Sequence, residues 1–183
     1  SEAVAEYERG LGLTPDEPNL LNSLGVSYGH LGQMDKAMSY FERALDAAPE
    51  DFMAHYNLGY ALMGQGRLSE ARQRLEASLA LEANHADTIF QLARLAQGEG
   101  RLAEALDLFS RAAEIPECRP AVHRHLGEAL AASGRLSEAE DAFHKAVKVN
   151  PNDAAALASL AEMYLHREAN LEIVISLTRK ALE

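Results

Sequence analysis

The sequence predicts an all-α solenoid of antiparallel helix pairs. Three observations carry that reading: a self-similarity of 34 residues, a column of leucines each followed by a small residue, and a glycine that recurs midway through each period. The string Gly66-Arg67-Leu68-Ser69-Glu70-Ala71 returns as Gly100-Arg101-Leu102-Ala103-Glu104-Ala105 and as Gly134-Arg135-Leu136-Ser137-Glu138-Ala139, and Gly32-Gln33-Met34-Asp35-Lys36-Ala37 is a looser copy. The same ruler aligns Leu24, Leu58, Leu92, Leu126 and Leu160, followed by Gly25, Gly59, Ala93, Gly127 and Ala161. It also aligns Phe41, Leu75, Phe109 and Phe143, then Ala44, Ser78, Ala112 and Ala146, and Pro15, Pro49 and Pro151.

Each period reads as two helices. Two amphipathic stretches, with apolar residues three and four apart, are split by the glycine column at 32, 66, 100 and 134. A glycine just past a helix end takes the left-handed conformation at low cost and turns the chain back. The prolines follow the second helix, where a residue without N–H no longer continues it. The acids beside them, Asp16, Asp51 and Asp153, are expected as N-caps or first-turn acids of the next period. The small column lets helices approach closely enough for the Leu and Phe columns to interdigitate. In order, residues 1–17 supply the second helix of a partial period, 18–51, 52–85, 86–119 and 120–153 are full periods, and 154–183 is a degenerate last one, eleven helices in a single array. In the last period Glu168 replaces the turn glycine; a one-residue insertion near 167–170 brings Val174 and Ala181 onto the columns. An array that begins on a second helix and stops without a polar capping helix is expected to be a segment of a longer protein.

Composition agrees and narrows the function classes. The chain has 183 residues, 48% hydrophobic and 25% charged, with Gly 12, Pro 6 and no Trp, which excludes disorder, collagen and a disulfide scaffold. No stretch approaches the roughly 20 consecutive apolar residues of a spanning helix. No membrane is therefore expected within this chain, and a formal net charge of -11 repels a phosphate backbone, so nucleic acid is not expected as a partner either. The single cysteine, Cys118, suits a reducing compartment, and the expected location is cytoplasmic. Residues 1–20 show no signal-peptide pattern, and an opening on Ser1 in place of Met is compatible with trimming.

The Leu-Gly pair, the Tyr or Leu three further on (Tyr28, Leu62, Leu130), and Ala, Phe, Ala and Pro at these spacings resemble the tetratricopeptide repeat, TPR, which is 34 residues long. The resemblance covers essentially the whole chain. It implies a right-handed superhelix whose first helices line a concave groove, and a noncatalytic scaffold that binds a peptide or partner protein there. Two alternatives are a substrate-targeting arm of a larger enzyme, such as a transferase, and a homo-oligomerising scaffold.

Position within the period predicts the groove-lining side chains: Asn22 and Val26 in the first full period, Met53, Tyr56, Asn57, Tyr60 and Met63 in the second, Phe90, Gln91 and Arg94 in the third, Arg124 and Glu128 in the fourth. The middle is aromatic and thioether-rich, with Arg94 and Arg124 beside it. Aromatics next to arginine are common material of binding hot spots, and Met adapts to varied apolar partners. The expected ligand is a peptide segment with an apolar anchor and a carboxylate, gripped by a guanidinium. Tyr56 and Tyr60 are read as exposed, whereas packing against the next helix weighs as heavily as exposure for Phe90.

Two specialised TPR patterns are missing. The carboxylate clamp of chaperone-binding TPR domains needs lysine and asparagine where Asn22 and Val26 stand, and lysine and arginine where Asp87 and Gln91 stand. The asparagine ladder of glycosyltransferase-linked arrays would occupy Ser23, Asn57, Gln91, His125 and Ser159. His123 and His125, two apart on a helix, diverge by roughly 200°, so a shared metal is not expected. Cys118 has no evident base beside it, and Gly98-Glu99-Gly100 is a turn, not a phosphate loop. No catalytic residue, cofactor or metal is expected.

Overall fold

A computed structural model of the chain describes residues 2–116, 118–166 and 171–182. Among the described residues there are eleven helices and no strand: α1 (Glu2–Leu13), α2 (Pro18–His30), α3 (Met34–Ala47), α4 (Phe52–Gly64), α5 (Leu68–Leu81), α6 (Ala86–Gly98), α7 (Leu102–Glu114), α8 (Ala121–Ala132), α9 (Leu136–Val149), α10 (Ala154–His166) and α11 (Leu171–Ala181). This is an all-α helical-repeat fold. The chain divides into two compact units, Ser1–Leu92 and Ala93–Glu183, with the division inside α6.

The turn between first and second helices is built the same way each time. Gly66 has φ 73°, its N–H donates to the Met63 carbonyl (3.0 Å), and the next N–H, of Arg67, donates to the Leu62 carbonyl (3.0 Å). Two carbonyls left over at the helix end are thereby satisfied, and only glycine adopts that φ without strain. Gly32, Gly100 and Gly134, at φ 71°, 74° and 79°, repeat the arrangement. The second helices α3, α5, α7 and α9 accordingly start 34 residues apart, and α11 starts 35 after α9. The extra residue expected near 167–170, and with it Glu168, lies outside the described residues.

Three of the first helices, α2, α4 and α10, start from acidic caps. Asp51 Oδ1 accepts from the N–H groups of Met53 (2.9 Å) and Ala54 (3.2 Å), and Asp153 Oδ1 from that of Ala156 (3.1 Å). At α2 the cap is Glu17, whose Oε2 accepts from Leu20 N–H (2.6 Å), and not the expected Asp16. With Pro18 as the first helical residue, Asp16 sits one place too early to reach the open N–H groups.

In the first unit α1 packs on α2, α2 on α3, α3 on α4 and α4 on α5, and α2 also touches α4. In the second, α7 packs on α8, α8 on α9, α9 on α10 and α10 on α11. The small column works by contact. A β-carbon on Gly25 would lie 2.4 Å from the Phe41 ring, one on Gly127 2.7 Å from the Phe143 ring. Around Phe143 the second unit buries Leu130, Ala139, Ala146, Ala156 and Leu160, with Leu177 of α11 packed against them.

Candidate functional site

The first unit presents the faces of two neighbouring first helices, α2 and α4. A hydrogen bond from Asn57 Nδ2 to Asn22 Oδ1 (2.9 Å) ties them together. That leaves Asn22 Nδ2 as donor and Asn57 Oδ1 as acceptor, both half-buried, for a further group. Val26 on α2 is exposed, Met53 and Met63 on α4 are half-buried, and Tyr60 is 50% exposed. Beneath Tyr60 its own helix supplies a support: the Tyr56 ring stacks on it with centroids 6.3 Å apart and planes 24° from parallel.

Tyr56 itself is only 7% exposed, contrary to the expectation from its place in the period. The cause is His85, whose ring meets Tyr56 edge-on at 5.1 Å and Phe52 at 5.3 Å. His85 is in turn held by Thr88, its Nδ1 2.7 Å from Thr88 Oγ1, and Ser78 Oγ lies 3.0 Å from the same hydroxyl. Phe90 and Gln91 are 4% and 1% exposed, so both are packing residues. His85 is the residue that sequence reasoning missed. Its signal was a histidine at the place where Glu17, Asp51 and Asp153 supply a helix cap.

In the second unit Arg94 is exposed on α6. Arg124 is half-buried and already bound: Nη1 to Glu128 Oε1 at 2.6 Å and Nε to Asp153 Oδ2 at 3.4 Å. Glu128 also approaches His125 Nδ1 at 3.0 Å, and the His125 ring stacks on Phe109 at 5.7 Å, 8° from parallel. Burial acts to raise the Glu128 carboxyl, but the hydrogen bonds and charges of His125 and Arg124 outweigh it and hold the group below the usual carboxylate range. An incoming carboxylate would have to displace two that Arg124 already holds, so the expected guanidinium grip is occupied from within the chain.

A separate cleft of about 310 Å³ lies between α7 and α9 with His123, Leu126 and Leu130 of α8 among its lining. Burial, and then the charge of Lys145, push the His123 imidazole below its ordinary value, and its buried Nδ1 has no hydrogen-bond partner. Among the described residues no three His, Cys, Asp or Glu side chains are placed to hold a metal ion, and no helix is long and apolar enough to cross a membrane. Cys118 is half-buried in the loop before α8, where burial pushes its thiol up, away from the reactive thiolate.

Comparison with known proteins adds the family. A search of curated protein sequences finds no match. Among solved structures, the chain is similar to YrrB, described as a TPR protein with an unusual peptide-binding site, at 19% identity and a TM-score of 0.76 over 96% of this chain and 90% of that one. It is similar to MamA at 21% identity and a TM-score of 0.75, over 87% and 92% of the two chains. The APC/C hetero-tetramer Cut9-Hcn1 gives a TM-score of 0.83 at 21% identity over 99% of this chain, which spans 36% of that one. At these identities the likeness is one of fold. Models of the tetratricopeptide repeat match residues 1–52, 30–95, 62–115 and 96–164, and the chain therefore belongs to the tetratricopeptide repeat family.

Proposed function

We propose that the chain is a protein-interaction scaffold that holds an uncharged, apolar segment of a partner on the α2–α4 face of its first unit. The observation that carries this reading is Tyr60: a half-exposed aromatic whose ring rests on the buried Tyr56, so little conformational entropy is lost when a ligand covers it. Val26 and the two methionines extend the apolar surface, and the open donor and acceptor of the Asn22–Asn57 pair match the two polar groups of a peptide unit. None of these side chains is charged. The description of YrrB as a peptide-binding TPR protein agrees with the class of ligand.

The test is peptide selection from a random displayed library against the whole chain, followed by calorimetry. Tyr60→Ala is expected to weaken the selected peptides by about 2 kcal/mol, the scale of an aromatic anchor. Gln73→Ala, on the exposed side of α5, is expected to change nothing. Affinity should hardly vary with salt, because no ion pair is formed. Equal losses from both variants, or a steep salt dependence carried by Arg94, would place recognition elsewhere.

A further inference from the structure

The second unit lacks aromatic rings at a place where the first unit has two. In the first unit the seat over α2, between α1 and α3, holds the Tyr40 ring of α3 stacked on the Tyr28 ring of α2, with centroids 5.4 Å apart and planes 5° from parallel. The Tyr28 hydroxyl donates to Glu8 Oε1 of α1 at 2.8 Å, and the Arg43 guanidinium stands 5.5 Å from the Tyr40 ring centroid. Beneath the rings Leu21 and Leu24 are wholly buried. Three periods on, the corresponding seat over α8, between α7 and α9, has Leu130 for Tyr28, Ala142 for Tyr40, Ser110 for Glu8 and Lys145 for Arg43. Ala113, where Leu11, Leu45 and Leu79 stand in earlier periods, widens it further. What remains is the cleft of about 310 Å³. Its floor is uncovered: His123 and Leu126 hold the places of Leu21 and Leu24 but are only half-buried. In the other four periods the leucine of this column is buried, at 3% exposure or less.

We propose that this cleft is a docking pocket for one tyrosine side chain of a partner protein, whose ring takes the place that Tyr40 fills in the first unit. The occupant is read from the chain's own filled seat, which has the same positions in the period and the same setting of three helices. An incoming ring meets the apolar carbon of Leu126, Leu130 and Ala142, and Lys145 stands where Arg43 faces the Tyr40 ring, so its ammonium is attracted by the ring face. The rim is polar: Ser110, Glu114 and Asp141 are exposed there, and a phenol hydroxyl finds bonding partners among them and water. Arg135 and Glu138, bonded to each other at 2.6 Å, are exposed as well, so a ring seated on the floor leaves the rim charges in water. The volume lies at the bottom of the roughly 300–1,000 Å³ of small-molecule sites, room for one side chain and not for a cofactor.

The probes are N-acetyl-tyrosinamide and N-acetyl-leucinamide, titrated into the whole chain and followed through the methyl resonances of Leu126 and Leu130. The tyrosine compound is expected to bind saturably with a Kd of about 1 mM, the scale for so small a ligand, and at least about fivefold tighter than the leucine compound. Ala142→Tyr supplies the ring from within the chain and should abolish the titration. Ala113→Leu narrows the cleft from the other wall and should weaken binding at least about fivefold, so the test stands even where Ala142→Tyr fails to fold; circular dichroism checks both. Tyr60→Ala should change nothing, which separates this pocket from the α2–α4 face. A second arm tests the source of the ring. Peptides selected from a random displayed library on the Tyr60→Ala chain, and counter-selected on the same chain with Ala113→Leu added, should carry a tyrosine at one fixed position. Absence of a saturable shift at Leu126 and Leu130, equal binding of the two compounds, or binding that survives the filled variants overturns the proposal. So does a selection without tyrosine-bearing peptides, which would leave a free aromatic molecule as the occupant.

Discussion

Replacing Gly25 by alanine sets two effects of known size against each other. An alanine in a helix interior is favoured over glycine by about 1 kcal/mol. The added methyl at Gly25, however, would lie 2.4, 2.6 and 2.9 Å from Cε1, Cδ1 and Cζ of Phe41. Carbon atoms pack at roughly 3.5–4.0 Å, so the ring must retreat by about 1 Å. Phe41 is buried against its neighbours, and overpacking of that kind costs about 1–3 kcal/mol. The clash outweighs the propensity gain, and a net loss of up to about 2 kcal/mol is expected. Gly12 is the control, since a β-carbon there meets nothing within 4 Å. Gly12→Ala should stabilise by up to about 1 kcal/mol, so one chemical change has opposite signs at two sites. Urea unfolding followed by circular dichroism and by tyrosine fluorescence measures both midpoints, and agreement of the two probes checks that unfolding is one step. Adding Phe41→Leu to Gly25→Ala should recover part of the loss. A midpoint for Gly25→Ala above that of the parent would refute the close-packing account of the small column.

Gly66→Ala is expected to lose about 1–2 kcal/mol although a β-carbon there has open space, because the residue must hold φ 73°; Gly66→Asn should lose less, measured again by urea midpoint. His123 has a folded-state value below the ordinary 6.5, so its neutral form supports the fold above pH 6.5 and that support is lost as the pH falls from 6.5 through the lowered value. His123→Leu, the residue present at the equivalent positions 21 and 157, should flatten the fall in urea midpoint over that window. Glu128, held below the usual carboxylate range, contributes stability that is present above pH 4.5 and lost as the pH falls through its lowered value; Glu128→Gln should remove that part of the acid dependence. Arg67→Ala, which removes the exposed pair with Glu70, should leave the urea midpoint nearly unchanged.

The fold was legible because repetition multiplies each local signal. One glycine between amphipathic stretches is ambiguous, but four at one spacing, all at positive φ, define the turns. The site was less legible because exposure is decided by neighbours that the period does not constrain. Tyr56 and Tyr60 occupy adjacent turns of α4, yet one is covered and the other half open, and the difference is His85, which replaces a capping acid. The sequence alone presents Arg124 as available. Its pairing with Glu128 follows from a spacing of four on a helix and is open to inspection, whereas Asp153, in the turn before α10, reaches it only once the chain has folded. Asp16 and Glu17 differ by one place, and element boundaries read from sequence are least secure at that scale.

The pattern of helix contacts also bears on how fast the chain acquires its structure. Nearly all the packed pairs within each unit, such as α2 with α3, α4 with α5, and α8 with α9, are neighbours in the chain, so few of the contacts require closing a long loop. Loop-closure entropy is then a small part of the barrier, and topologies of this kind fold in microseconds to milliseconds. The same locality lets a helix pair open while others stay closed. Amide hydrogen exchange should therefore resolve into blocks of about one helical hairpin, with the slowest blocks around Phe41 and Phe143, where large rings fill the closest approaches.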